Sequence, residues 1–317
     1  MADALLIYNP VAGRNPSRLL TERAAAVLQE YGWQMEIETT NNSEHITRLA
    51  QQAADEGKDA LFVVGGDGTI NRAVRGLVGT STALGVLPAG TANVWAQELR
   101  LPGLSWTRIM ALEESARRYM HTEVRAIDIG LCNAEPFLLW AGVGLDGFIV
   151  HRIEPRSPLE KRFATVYYLA SAMVNASQWR GMNLEVMTDG ERIRGHFLLA
   201  VVSNVRLYAG GFAELSPHAL MDDGLMDLWL FEGDNLENIL QIAWDLWSGR
   251  HLNSERVMRI PFQAITMESD SRLYMQVDGE PGEAEDAVNI QVLPRALRIL
   301  VPAQAPHHLF SSPPIAP

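Results

Sequence analysis

Two domains, a parallel α/β layer followed by an antiparallel sandwich or barrel, are what this sequence of 317 residues predicts. Three observations carry that expectation. Buried-strand patterns alternate with helical stripes up to about residue 124, glycine turns close three of those strands, and from about residue 125 short strand-like runs crowd together. With 47% apolar residues the chain has material for a full core.

The clearest stretch is Leu61-Phe62-Val63-Val64-Gly65-Gly66-Asp67-Gly68-Thr69-Ile70-Asn71. Four consecutive apolar residues read as a strand buried on both faces, as in parallel sheets covered by helices. Gly65, Gly66 and Gly68 permit positive φ and remove the Cβ atoms that would hold a bulky anion off the backbone. Thr69 stands where a helix N-cap belongs, and Ile70, Ala73, Val74 and Leu77 give the next segment its apolar face. A strand, a glycine turn and a helix start aim N–H groups at the loop, a field that suits phosphate. Asp67 in its middle points to a metal or a reacting hydroxyl. The same residues also read as a tight left-handed turn with a solvated acid.

The other elements follow in order. Leu5-Leu6-Ile7-Tyr8 is a buried strand closed by Asn9-Pro10 and the turn Val11-Ala12-Gly13-Arg14. Ser17 caps a helix with Leu20, Ala24, Val27, Leu28 and Tyr31 on one stripe and Gly32 as its stop. Trp33, Met35, Ile37 and Thr39 alternate with polar residues, so this strand lies near the sheet edge, and Thr40 ends it. Ser43 caps a helix with Ile46, Leu49, Ala50 and Ala53 inward. Leu84-Gly85-Val86-Leu87 repeats the buried-strand pattern, Pro88-Ala89-Gly90-Thr91 turns, and a helix runs over 92–99. In an open parallel sheet, ligands bind beyond the carboxyl ends of the strands, where these three turns converge. Arg14 is a candidate phosphate donor there or a solvated loop residue.

The second half is expected to hold strands at 126–132, 136–141, 183–188, 193–204, 226–231, 257–262, 264–268, 273–277, 288–292 and 296–301. Asp189-Gly190 is its strongest hairpin signal. Helices are expected over 161–180 and 235–249; the second carries Ile239, Leu240, Ala243, Leu246 and Trp247, a stripe that suits core packing or the wall of a lipid cleft. Residues 142–147 (GVGLDG) read as another glycine turn. Met221-Asp222-Asp223-Gly224-Leu225-Met226-Asp227 is an oxygen-rich candidate for Mg²⁺ or Ca²⁺, and equally an Asp-Gly turn. Asp278-Gly279-Glu280 is a turn whose acid could accept a proton. Residues 302–317 read as a tail that is either loose or draped over the surface. The domain bounds expected are therefore 1–124, 125–301 and the tail 302–317.

A net charge of -12 argues against nucleic acid as a partner, since backbone binding needs a basic surface. Arg152, Arg156, Lys161 and Arg162 form a local basic cluster, either a solvated helix entry or a membrane-facing patch. Cys132 sits in an apolar run and reads as a small core residue. The sequence shows no signal-peptide pattern and no window of about 18 uncharged apolar residues, so a cytoplasmic protein is expected, with peripheral contact at the inner membrane face left open.

Five motifs in this order resemble the diacylglycerol kinase catalytic domain, in its bacterial soluble lipid kinase branch, which is similar also to sphingosine kinases. They are Asn9-Pro10-Val11-Ala12-Gly13-Arg14, Gly65-Gly66-Asp67-Gly68-Thr69-Ile70-Asn71, Leu87-Pro88-Ala89-Gly90-Thr91-Ala92-Asn93, Asp223-Gly224-Leu225-Met226-Asp227 and Val277-Asp278-Gly279-Glu280. The resemblance implies a three-layer α/β domain like that of NAD kinases and phosphofructokinases, a β-sandwich domain, and ATP in the cleft between them. It implies that Asn9, Pro10, Gly13, Arg14, Thr40, Gly66, Asp67, Gly68, Thr69, Ile70, Asn71, Arg72 and Thr91 hold the nucleotide. Glu280 would take the proton of a lipid hydroxyl, with Asp67 orienting catalytic Mg²⁺ through water. The Leu220 and Leu225 carbonyls and the Asp223 carboxylate would hold a structural Mg²⁺. Val94 stands where some bacterial members have an acid, so any metal–water network that acid supports would be absent or rebuilt around Asp67 and Asp227. The expected activity is γ-phosphoryl transfer from ATP to diacylglycerol or a related lipid alcohol. A sphingoid, phosphatidylglycerol-like or NAD-like acceptor, and a nucleotide-binding regulatory protein without catalysis, are the alternatives.

Overall fold

A computed structural model describes residues 2–10, 16–105, 107–153, 178–188, 190–282 and 287–315. The chain forms two compact units that are not contiguous in sequence. Residues 1–129, 220–223 and 294–317 belong to the first and residues 130–219 and 224–293 to the second.

The first unit is an α/β layer: β1 (Ala2–Tyr8), α1 (Arg18–Glu30), β2 (Trp33–Thr39), α2 (Ser43–Asp55), β3 (Ala60–Gly65), α3 (Asp67–Leu77), β4 (Ala83–Pro88), α4 (Val94–Glu98), α5 (Ala111–Arg118) and the start of β5 (Glu123–Cys132). The strand order β4-β3-β1-β2 is parallel throughout, and β2, half-buried, is its edge. β3 and β4 are buried along their whole length, as the unbroken apolar runs predicted. Helices pair as α2 with α3 and α1 with α5. Ile299 of the last strand pairs with Leu84 on the far side of β4. Further along that edge, at Val86, the Tyr119 hydroxyl takes over. It accepts the Val86 amide at 2.9 Å and donates to the Val86 carbonyl at 3.1 Å, while its ring packs edge-on to Phe62. Burial raises this phenol far above its ordinary range and keeps it a donor.

The second unit holds β6 (Glu135–Phe137), β7 (Trp140–Gly144), α6 (Leu145–Ile153), β8 (Met182–Thr188), β9 (Glu191–Ser203), β10 (Leu207–Tyr208), β11 (Ala213–Glu214), β12 (Met226–Glu232), α7 (Leu236–Ser248), β13 (Val257–Phe262), β14 (Ala264–Glu268), β15 (Met275–Val277), β16 (Glu280–Pro281) and the start of β17 (Ala287–Val301). Its pairings are antiparallel: β8 with β9 and β14, β7 with β9 and β15, β12 with β9 and β13, β14 with β17. The second half of β9 is buried throughout because β7 and β12 flank it on both sides. Thr188 faces Glu191 across the expected hairpin, although Asp189 itself lies outside the described residues.

Two helices are bounded as the local signals read, and two others are capped elsewhere. Ser17 accepts the Leu20 amide, and Asn235 and Gly249 bound α7. Asn42 rather than Ser43 caps α2, since its side chain, one residue earlier on extended backbone, accepts the His45 amide at 2.8 Å. α3 begins at Asp67 with Gly66 as its cap, because the Gly66 carbonyl already accepts the Thr69 and Ile70 amides. α4 starts only after Asn93, which is left-handed (φ 55°). Residues 142–147 are the end of β7 and the first turn of α6, switched at Gly144 (φ 94°). The runs 288–292 and 296–301 are one strand, β17, kinked where Arg295 (φ 52°) gives its amide to Asp128. α5 escaped notice because no side chain caps it. The expected helix 161–180, apart from its last three residues, and Arg156, Lys161 and Arg162 lie outside the described residues.

The tail is pinned rather than loose. The Leu309 carbonyl accepts the Met221 amide, Ile315 donates to the Val124 carbonyl, and Leu309 is buried. Asp222 holds it with one carboxylate, which accepts the Ser311 amide at 2.6 Å, the Ser311 hydroxyl at 2.9 Å and the Ser312 amide at 2.9 Å. Burial pushes the Asp222 carboxyl up, but the serine amides and hydroxyls together outweigh it and hold the group below its ordinary value. A carboxyl lower in the folded than in the unfolded chain adds stability above the ordinary carboxylate range and loses it as pH falls through the folded value. Thermal melts of Asp222→Asn are therefore expected to start from a lower Tm at neutral pH and to decline less than wild type between about pH 5 and pH 3.

Candidate functional site

The carboxyl edge of the parallel sheet in the first unit is built from three strand ends in register, Tyr8 beside Val64 and Gly65 beside Pro88. Of the three turns expected to converge there, the second and third meet, and residues 11–15 of the first lie outside the described residues. Thr40 joins this edge, buried, with its amide and hydroxyl both donating to the Tyr8 carbonyl. Ala89 donates to the Gly65 carbonyl at 2.8 Å, so the second and third turns leave the sheet bonded to each other.

Their glycines serve close approach rather than positive φ, which neither Gly66 nor Gly90 has. A Cβ built on Gly66 would lie 2.8 Å from the Gly90 Cα, and one on Gly90 would run into the Gly66 Cα and lie 2.6 Å from Asn93 Oδ1. Two main chains touch here with no room for a side chain. Asn93 fixes the third turn from within: Oδ1 accepts the Gly90 amide at 2.7 Å and Nδ2 donates to the Gly90 carbonyl at 2.9 Å. Asp67 fixes it from outside. Its carboxylate accepts the amides of Val94 at 3.0 Å and Trp95 at 3.2 Å and so caps α4 across 27 and 28 residues of sequence. Burial raises the Asp67 carboxyl above its ordinary value, with these amides pulling it back. Val94 itself is buried, so its side chain faces the interior.

Asn9 and Pro10 end β1 at this edge, whereas Gly13 and Arg14 lie outside the described residues. Gly68 and Thr91 are exposed, and a Cβ on Gly68 would meet nothing within 4 Å. Thr69 and Ile70 are buried under the turn and Arg72 is half-buried. Asn71 is buried, and no group among the described residues bonds its Oδ1 or Nδ2. An open glycine, an orphaned amide side chain and the amino end of an 11-residue helix are features that fit an anionic nucleotide.

Glu280 lies in the second unit, half-buried, opposite Val277 in the β15–β16 hairpin. Asp278 (φ 48°) and Gly279 (φ 81°) are both left-handed, which makes the two-residue turn that Asp-Gly favours. The Asp278 side chain is occupied structurally, accepting the amides of Leu138 at 2.8 Å, Leu139 at 2.8 Å and Trp140 at 3.0 Å. Of the candidate metal ligands, Leu220 and Asp223 belong to the first unit and Leu225 to the second; Asp223 and Leu225 are exposed. Two carbonyls and a carboxylate make an all-oxygen set that suits a hard cation. Among the described residues no group of three or more His, Cys, Asp or Glu is placed to hold a metal. Asp227, the other acid expected to rebuild a metal network, is paired with Arg259 at 2.9 Å.

A parallel layer with main-chain loops at its carboxyl edge, followed by an antiparallel sandwich, is the NAD kinase-like architecture. The chain matches the diacylglycerol kinase catalytic domain over residues 3–132 and the YegS C-terminal NAD kinase beta sandwich-like domain over residues 142–301, and it belongs to this diacylglycerol kinase family. Its enzyme class is an ATP-dependent lipid kinase. It is 28% identical to the diacylglycerol kinase of Bacillus subtilis strain 168, over 89% of this chain and 91% of that one. It is 29% identical to the diacylglycerol kinase of Staphylococcus aureus strain MRSA252, over 88% and 86%. A crystal structure of a diacylglycerol kinase from Bacillus anthracis, 20% identical, shares the fold with a TM-score of 0.72 over 96% of this chain and 98% of that one.

The contact between the second and third turns can be tested by adding one methyl group. Gly90→Ala is expected to force Gly66 and Asn93 apart and to raise the KM for ATP by about tenfold or more, since about an ångström of displacement in a binding loop is costly. Gly68→Ala, with open space around it, should leave the fold unchanged by circular dichroism.

Proposed function

We propose that the protein transfers the γ-phosphoryl group of ATP to the free hydroxyl of diacylglycerol. The reading rests on the Gly66–Gly90 contact, which sets two nucleotide-type loops side by side, and on relatives in two bacterial genera that carry the diacylglycerol kinase name over most of their length. In it the chain up to about residue 124 holds ATP through Asn9, Pro10, Gly13, Arg14, Thr40, the Gly66–Arg72 segment and Thr91. The β-rich part, 125–301, takes the lipid. Phosphoryl transfer asks for positioning and charge stabilisation more than covalent help. Glu280 accepts the proton of the attacking hydroxyl. When bound, Mg²⁺ supplies positive charge beside the phosphate oxygens, and Leu220, Asp223 and Leu225 are the residues that would hold a structural ion. Asp67 keeps lone pairs beyond those taken by Val94 and Trp95 and would orient a catalytic ion through water.

The lipid arrives in a bilayer, and α7 offers a surface for it. Ile239 and Leu246 are buried, while Leu236, Leu240, Trp244 and Trp247 form a stripe at helical spacing on exposed positions, the two indoles 54% and 55% exposed and 5.0 Å apart. Tryptophan favours the headgroup level of a membrane. No helix among the described residues is long and apolar enough to cross one.

Purified protein with labelled ATP, Mg²⁺ and a panel of diacylglycerol, sphingosine, phosphatidylglycerol and NAD decides the acceptor. Phosphatidic acid is the expected product, another labelled product reassigns the substrate, and ATP binding without any product means a regulatory protein. Glu280→Gln is expected to lower kcat by about 10²–10⁴ with ATP affinity nearly intact. Full activity in that variant would remove Glu280 from the role. Trp244→Ala with Trp247→Ala should weaken sedimentation with lipid vesicles and slow turnover of vesicle-borne diacylglycerol several-fold. Turnover of a short-chain diacylglycerol in solution should not change.

A further inference from the structure

The second unit contains a buried polar chain that ends at the turn carrying Glu280. It starts at Tyr208, whose hydroxyl donates to Asp146 Oδ2 at 2.8 Å. The same oxygen accepts Gln276 Nε2 at 2.8 Å. Gln276, fully buried on β15, accepts the Gly279 amide through Oε1 at 2.6 Å. Gly279 directly precedes Glu280.

The surroundings are shaped to this chain. A Cβ on Gly142 would run into Asp146 Oδ2 and lie 2.8 Å from Gln276 Nε2, so the glycine of β7 makes the space in which those groups meet. A Cβ on Gly147 would run into the main chain at Tyr274 and Met275, so a second glycine lets α6 press its acid against β15. Among the described residues no cation pairs with Asp146, and burial raises its carboxyl above the ordinary value, with Tyr208 and Gln276 pulling it back. Placing a carboxylate against neutral donors alone is costly in a low-dielectric site. Its structural return here is the orientation of one glutamine amide, and with it one turn amide.

The turn is held at its other residue as well. Asp278 donates its amide to the Trp140 carbonyl and accepts the three amides of Leu138, Leu139 and Trp140. Asp278 thereby fixes the location of the turn, and Gln276 fixes the plane of the Asp278–Gly279 peptide, one residue before Glu280. We propose that Asp146 and Gln276, with Tyr208 behind them, are positioning residues that set the Glu280 carboxylate for proton transfer. The proposal rests on the reading of Glu280 as the proton acceptor.

The test is a set of double-mutant cycles with Glu280→Gln. Asp146→Asn and Gln276→Met are each expected to lower kcat by about 10–100-fold, with the KM for ATP within about twofold of wild type. Tyr208→Phe, which removes one hydroxyl, is expected to lower kcat about threefold and serves as the folded variant should either of the others fail to fold. In the Glu280→Gln background each of these losses should vanish, since a residue acting only through Glu280 has nothing left to position. Losses that multiply with that of Glu280→Gln, a rise in KM for ATP matching the fall in kcat, or full kcat in the folded variants would overturn the positioning role. A fully active Glu280→Gln single variant would instead overturn the proton-acceptor reading, which keeps the two failures distinct.

Discussion

The meeting of two main chains at Gly66 and Gly90 is the constraint on which the rest of the first unit depends. Buried parallel strands set the two turns next to each other, but only the absence of both Cβ atoms lets them touch. Once they touch, the amino end of α3 and the start of α4 become neighbours, and a carboxylate at Asp67 can accept two amides from the other loop. Each feature requires the one before it. In the proposed reading a nucleotide would meet loops whose order is established in folding rather than at binding.

The second unit solves an analogous problem with side chains. A two-residue hairpin with both residues left-handed is short and stiff, yet alone it does not decide how the strand bearing Glu280 is rotated. Asp278 and Gln276 decide it by taking hold of both the turn's own peptides and those of the neighbouring strand. An acid intended for proton transfer gains from this, because its efficiency depends on reach and direction before it depends on pKa.

Much of this was legible in sequence, and the reasons are local. The unbroken runs at Leu61–Val64 and Leu84–Leu87 could only be doubly covered strands, and the alternation from Trp33 could only be an edge. Asn235 and Gly249 delimit α7 because each cap is made by residues within one turn. What escaped was set by distant partners. Gly66 read as a residue that permits positive φ and the approach of an anion, yet what fills the place of its Cβ is Gly90, 24 residues away. The stripe of α7 with Leu240 and Trp247 stayed open between core and lipid cleft, because a helical period does not say which of two apolar sides finds a partner. The tail read as loose or draped because nothing in its own residues names Asp222.

The same limit explains the acids. A short-range reading takes an aspartate beside glycines as a ligand for metal or substrate, and Asp67, Asp222 and Asp278 all drew attention on that ground. In the fold each holds main-chain amides far away in sequence, and Asp128 does the same for Arg295. A carboxylate accepting amides is a strong, directional clamp needing no counter-charge. Such a clamp tolerates a chain with net charge -12 and lets glycine loops, which have no side chains of their own, be held from outside. That leaves Glu280 in a different position from the other acids of its motifs. It is a half-buried carboxylate beside a turn that Asp278 already secures, and the proposed role of proton acceptor rests on that difference.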